Sequence, residues 1–222
     1  MRPFVIINSA MSADGKISTT LRKQVRISGP NDLKRVDTLR AHSDAVMVGI
    51  GTVIADDPKL TIKSDALKAM RTRQGKPSDP LRIVVDSSAR TPLSASVLGA
   101  HTLIAVSQKA PQHAVKALSE KAEVFVAGEH VVDLVALLSH LKQRGVDSLM
   151  VEGGARLNFA LLDLGLVDEI YTYVGNIVIG GHTAPTLVDG VGFTADFITL
   201  DLKELCRMDD GLLIKWRVKG RT

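Results

Sequence analysis

"MVEGGARLNFALLDLGLVDEI", residues 150–170, decides how the rest of the chain is read. An apolar run ends at Glu152, Gly153 and Gly154 follow, and Leu157, Leu161 and Leu164 recur at helical spacing until Gly165. The pattern predicts a strand that hands over to a helix, with Gly165 just past the helix end. A carboxylate at that handover has two readings. It is an acid near the positive end of a helix dipole, or a functional group at the ligand edge of a sheet. Burying it there without a partner is costly.

Working outward, the same alternation recurs. "FVIIN" (4–8), "AVMVGI" (45–50), "LRIVVD" (81–86), "TLIAVS" (102–107), "EVFVAG" (123–128) and "SLMVEG" (148–153) are short apolar runs suited to buried strands. Helices are expected over 31–42 and 112–121, and over 131–145, where Val131, Leu134, Val135, Leu138 and Leu141 share a face. Residues 51–58 read as a single helical turn stopped by Pro58. Residues 64–80 are polar, contain Gly75, Pro77 and Pro80, and read as a long surface loop. Asp209-Asp210-Gly211 between two alternating runs signals a hairpin. Strands alternate with helices for most of the chain and then follow one another directly. This predicts one α/β domain over 1–222: three layers, with a mainly parallel central sheet and antiparallel C-terminal edge strands.

Composition narrows the function classes. The 222 residues are 45% hydrophobic, enough for a substantial core, and a net charge of +4 suits a small anionic ligand. Aromatic residues are 4% of the chain, which leaves few stacking platforms for bases, so nucleic acid is not the expected partner. Cys206 is the single cysteine, which excludes an intramolecular disulfide and fits a reducing compartment; it reads as a small buried hydrophobe in a strand. No run approaches ~18 apolar residues, so neither a signal peptide nor a membrane span is expected, and the cytoplasm is the expected location. None of the six histidines stands at metal-ligand spacing, and no metal is expected.

In open α/β sheets ligands bind beyond the carboxyl ends of the strands. Four such ends carry polar or glycine-rich residues: "NSAMSADGK", "GIGTVIADDP", "VDSSAR" and "VEGGARLN". The "GIGT" turn lacks the third glycine of a dinucleotide fingerprint, since Ile54 stands there, and alone it reads as a tight turn. Lys16, after the Asp14-Gly15 turn, reads by itself as a solvated lysine. Arg40 lies close to an apolar helix face, as a snorkelling side chain or as a phosphate clamp.

"SADGK" (12–16), "LRAHSDAVMVGIGTVIADDPKLT" (39–61), "RIVVDSSAR" (82–90), "VEGGARLNFALLDLGLVDEI" (151–170) and "GGHTAPT" (180–186) together resemble the riboflavin-pathway reductase family, nearly end to end. That resemblance implies a dihydrofolate-reductase-like fold and NADPH as hydride donor, with NADH the alternative. It implies a phosphorylated ribosylaminopyrimidine as the small-molecule substrate. The reacting atom would be C1′ of the ring-opened ribosyl group, an aldehyde or imine carbon that becomes part of a ribityl chain. A homodimer is also implied. The bifunctional relatives carry a zinc deaminase domain whose H-x-E and P-C-x-x-C ligands are absent here, so reduction without deamination is expected.

Residue by residue, the resemblance places Thr52, Asp56 and Ser87 among the cofactor contacts. The loop Gly153, Gly154, Ala155, Arg156, Leu157 and Asn158 would cradle the pyrophosphate. Lys16 and Glu152 fall near the reacting carbon as the expected catalytic pair. Arg40, Leu60 and Lys63 fall on the substrate side, with Arg40 and Lys63 suited to a 5′-phosphate. Arg90 and Lys109 are candidates for an adenosine 2′-phosphate, and Arg26 stands where relatives carry an aromatic residue. Two rivals remain. One is a same-fold reductase of another pterin or pyrimidine, for which dihydrofolate reduction would require an acid such as Asp37. The other is a non-catalytic nucleotide-binding protein.

Overall fold

The computed structural model describes residues 1–23 and 25–221. Two compact units divide the chain, one of Met1–Pro3 with Asp37–Met150, the other of Phe4–Val36 with Val151–Thr222. Two of the three boundaries fall inside elements, one in a helix, α1 (Pro30–His42), and one in a strand, β6 (Ser148–Val151).

The first unit holds β2 (Ala45–Gly49), α2 (Ile50–Asp56), α3 (Asp65–Arg73), β3 (Leu81–Val85), β4 (Thr102–Val106), α4 (Gln112–Ser119), β5 (Glu123–Val126), α5 (Leu134–Gln143) and most of β6. The strand order is β5-β4-β3-β2-β6, and β2 through β5 pair in parallel. Continuous apolar runs make these strands. Val46, Met47, Val48, Ile83, Val84 and Leu103 to Val106 are wholly buried, as strands covered on both faces must be. Each of the Val, Ile, Leu and Met side chains contributes about 1.5–3 kcal/mol on leaving water.

The polar stretch 64–80 is not a surface loop throughout: residues Asp65–Arg73 form α3. Ser64 caps it, accepting the Leu67 N–H. Arg71 explains why this segment is ordered. Arg71, 1% exposed, donates from its guanidinium to the carbonyl of Ala41 in the last turn of α1, to that of Ser43 just past its end, and to Pro77 O. Helix α5 also begins later than its apolar pattern predicts. Asp133 supplies the N-cap, with Oδ1 accepting the Ala136 N–H at 2.9 Å. Val131 and Val135 are therefore exposed, and Leu134, Leu137, Leu138 and Leu141 form the buried face.

The second unit holds β1 (Phe4–Met11), the first half of α1, α6 (Ala155–Asp163), β7 (Glu169–Val174), β8 (Ile198–Met208) and β9 (Gly211–Arg221). Its strand order is β1-β7-β9-β8, with β1 parallel to β7 and the other pairs antiparallel. The expected hairpin is present: Asp209, at φ 51°, and Asp210 join β8 to β9. The Asp209 carboxylate accepts the backbone N–H groups of Asn31 and Asp32, so the hairpin turn supplies the N-terminal cap of α1. On α6, Leu157, Leu161 and Leu162 are buried, whereas Leu164 is exposed at the C-cap. Cys206 lies in β8 half-buried rather than in a core. The chain is thus mixed α/β, mostly parallel in its sheet, with antiparallel strands at the C-terminal edge.

Candidate active site

In the first unit the polar residues lie where β2 and β3 end. Gly49 N-caps α2, which carries Thr52, half-buried, and Asp56 at its last position. Asp56 keeps an exposed surface, yet partial burial of its carboxyl raises its pKa above the ordinary value. Among the described residues no hydrogen-bond donor meets this carboxyl, so a ligand donor would lower its pKa. Asp57 follows in the left-handed region, at φ 42°, and fixes the turn by accepting the Ser96 N–H and Oγ–H at 2.7 and 2.8 Å. That ion is held below the ordinary carboxylate range by the two Ser96 donors.

The segment after Asp57 carries the substrate-side candidates. Leu60 adopts φ 53° with its side chain 1% exposed, so it can offer a ligand backbone groups only. A non-glycine residue in this region costs of order 1–2 kcal/mol, and such strain persists only where neighbours hold it. Here they are Asp37, which accepts the N–H groups of Lys63 and Ser64, Asp79, which accepts that of Ile62, and Arg40, which donates to Thr61 O at 2.9 Å. Arg40, Leu60 and Lys63 are thereby drawn into one cluster, and the Lys63 side chain is exposed. Asp37, the acid considered for a pteridine, has both oxygens engaged with backbone.

Ser87 sits after β3. Its Oγ accepts the Val132 N–H at 3.0 Å, and its carbonyl accepts Ser107 Oγ–H at 2.8 Å, so it also braces the neighbouring loops. Arg90 is exposed with Nε 3.8 Å from the buried Asp86, and Lys109 is exposed.

In the second unit Glu152, half-buried, comes directly after Val151 and is followed by Gly153 at φ 98° and Gly154 as N-cap of α6. The Gly153–Gly154 peptide is cis. Among the described residues no side chain caps this helix, and a Cβ placed on Gly153 would meet nothing within 4 Å. An uncapped helix N-terminus beside open space fits a phosphate group. Arg156 points outward and is exposed, whereas Asn158 is wholly buried and donates from Nδ2 to Leu187 O at 2.8 Å. Asn158 thus lies within the pyrophosphate-loop segment but fastens the chain at 187.

Lys16 is half-buried, and its ammonium donates to Ala184 O at 3.2 Å. Its backbone bridges Thr186, and Asp189, which accepts the Thr186 N–H and Oγ–H, donates its own N–H to Ala155 O. Residues 184–189 therefore connect the Lys16 turn with the first residue of α6. Sequence patterns gave no sign of this strap. Arg26 is exposed.

The comparisons agree with this architecture. Residues 3–214 match the model of the RibD C-terminal domain. A relative from Archaeoglobus fulgidus, a 2,5-diamino-6-ribosylamino-4(3H)-pyrimidinone 5′-phosphate reductase, is 54% identical over 87% of this chain and 89% of its own length. A second protein of that name, from Methanothermobacter thermautotrophicus, is 46% identical over 99% of this chain and 100% of its own. Among solved structures, a pyrimidine reductase-like protein from Corynebacterium diphtheriae superposes with a TM-score of 0.81 at 19% identity, covering 97% of this chain and 92% of that one. Dihydrofolate reductase from Enterococcus faecalis gives 0.50 at 12% identity, covering 98% and 97%. These two show the fold alone, which is dihydrofolate-reductase-like. With the family model spanning nearly the whole chain and the strand-end residues in place, the protein is a member of the RibD C-terminal domain family.

Proposed function

We propose that the protein reduces the ribosyl side chain of 2,5-diamino-6-ribosylamino-4(3H)-pyrimidinone 5′-phosphate to the ribityl chain, a step of riboflavin biosynthesis, with NADPH as reductant. The observation that carries this reading is the identity of 54% and 46%, along nearly the full length, to proteins bearing that enzyme's name.

NADPH would supply the hydride that C1′ receives. The chain's own residues do the rest. The α6 N-terminus, with Gly153 to Asn158, binds the cofactor's pyrophosphate, and Thr52, Asp56 and Ser87 make further cofactor contacts. Arg40 and Lys63 hold the 5′-phosphate, and Leu60 contributes backbone groups. Hydride addition leaves negative charge on the atom bonded to C1′, which a proton must neutralise. Lys16 and Glu152 steer that proton or hold the ribose hydroxyls. We assign Arg90 or Lys109 to the adenosine 2′-phosphate. We also infer a cytoplasmic homodimer acting as one catalytic domain over 1–222. In support of the dimer, β8 ends its strand order and exposes Leu200, Leu202 and Leu205.

The test is NADPH oxidation with the ribosylaminopyrimidine 5′-phosphate, run beside dihydrofolate and a blank. Turnover with the first substrate alone is expected. Turnover on dihydrofolate instead would assign the site to a pterin, and cofactor binding without any turnover would favour a silent nucleotide-binding protein.

A further inference from the structure

We propose that Asp14 is a positioning residue for the Lys16 ammonium, acting through the segment 177–186. The inference rests on the reading of Lys16 given above and adds the group that sets its geometry.

The exposed carboxylate of Asp14 gathers three donors. Ser12 Oγ–H lies at 2.6 Å, Ile179 N–H at 3.0 Å and Gly180 N–H at 2.7 Å. Ser12 is wholly buried, and its Oγ in turn accepts the Lys16 N–H at 2.9 Å. One chain of bonds thus runs from the Lys16 backbone through Ser12 and Asp14 to residues 179 and 180. Backbone bonds repeat the same connection. Ala13 N donates to Ile177 O, Ile17 N to Pro185 O, and Lys16 bridges Thr186. The carbonyl that receives the Lys16 ammonium, Ala184 O, lies four residues beyond the Asp14 contact.

The intervening corner needs an external hold. Gly180 and Gly181 both have positive φ, 71° and 83°, and consecutive glycines fix no backbone conformation of their own. Asp14 supplies the hold. Its charge makes the bonds to two backbone N–H groups stronger than a neutral acceptor would. The three donors, Ser12 first, lower its pKa to about 2. The folded pKa lies below the ordinary value, so the contribution is fully present above about pH 4. It is lost as pH falls through about 2. Asparagine at this position would turn an N–H donor toward one of the two backbone donors.

The experiment compares wild type with Asp14→Asn, Asp14→Glu and Ser12→Ala. Three readouts are taken: steady-state kinetics, amide exchange at Ile179 and Gly180, and acylation of Lys16 by an amine-reactive ester quantified by mass spectrometry. In Asp14→Asn, kcat should fall about 10- to 100-fold, the scale for a misplaced catalytic group, with the KM for NADPH within about twofold of wild type. Acylation of Lys16 should rise several-fold, because its ammonium no longer has a fixed acceptor, while that of the exposed Lys23 stays constant. Asp14→Glu should recover part of kcat. Ser12→Ala, which keeps the carboxylate, should shift every readout in the same direction by less, and it replaces Asp14→Asn if that variant does not fold. Unchanged Lys16 acylation and exchange in both variants would overturn the proposal, as would a loss confined to KM. If wild type itself shows no turnover, the enzymatic reading fails, and acylation and exchange still decide the role of Asp14.

Discussion

The buried carboxylate of Asp37 accepts the backbone N–H of Lys63 at 2.7 Å and that of Ser64 at 2.9 Å. The segment bearing Leu60 and Lys63 is therefore held from the C-terminal half of α1, and α3 starts where the second bond ends. Asp37→Ala leaves both N–H donors without their acceptor and should destabilise the protein by about 2 kcal/mol or more. The KM for the phosphorylated substrate should rise roughly tenfold, or about 1.4 kcal/mol, with kcat little changed. Urea unfolding and substrate titration check this; an unchanged KM would remove Asp37 from the substrate side.

Glu152 follows the last residue of β6, Val151, and directly precedes Gly153, a place from which it can act on substrate while the glycines and α6 receive phosphate. Glu152→Gln keeps the side chain's shape and removes its charge. It should lower kcat about 100-fold, the low end for assisted proton transfer, and leave the NADPH Kd within about twofold. Stopped-flow turnover and fluorescence titration separate the two quantities. Equal losses in both would make Glu152 a structural acid near the helix.

Partial burial raises the pKa of Asp56, so its ionised form carries a cost in the folded chain. With the folded value above the unfolded one, that cost is present at neutral pH and disappears as pH falls through the folded pKa. Asp56→Asn should therefore unfold at a higher temperature than wild type near pH 7, with the gap closing toward pH ~4. It should also bind NADPH several-fold more weakly. Thermal scans across pH and cofactor titration check both, and a variant less stable than wild type at neutral pH would contradict the assignment.

Arg71 is buried among carbonyls of Ala41, Ser43 and Pro77. Burial lowers its pKa, with Asp44 and Asp79 opposing that shift. Arg71→Met leaves those acceptors without a donor and should cost about 3 kcal/mol of stability. Activity per folded molecule should stay near wild type. Denaturant midpoints and active-site-normalised rates check it.

Much of the fold was legible because buried strands write themselves as continuous apolar runs. β2, β3 and β4 were readable from Val46–Val48, Ile83–Val84 and Leu103–Val106. The hairpin was readable from Asp209-Asp210-Gly211. Helix α3 was not, because its ordering comes from Arg71 reaching carbonyls 28 and 30 residues away, which leaves no local pattern. Helix α5 starts at Leu134, later than its apolar spacing suggests, because the Asp133 cap outranks that spacing. At the site, motif order singled out Lys16, Glu152 and the glycine loop. The groups that fix them, such as Asp14 on Gly180 and Asn158 on Leu187, act across 166 and 29 residues.

Hydride delivery to C1′ of the ribosyl group leaves a mark in the product. It is tested most directly with NADPH deuterated at the transferring position of nicotinamide C4, followed by mass spectrometry and NMR of the product. One deuterium is expected at C1′ of a ribityl chain and none on the pyrimidine ring. Deuterium on the ring, or a product whose ribosyl group is unreduced, would contradict it.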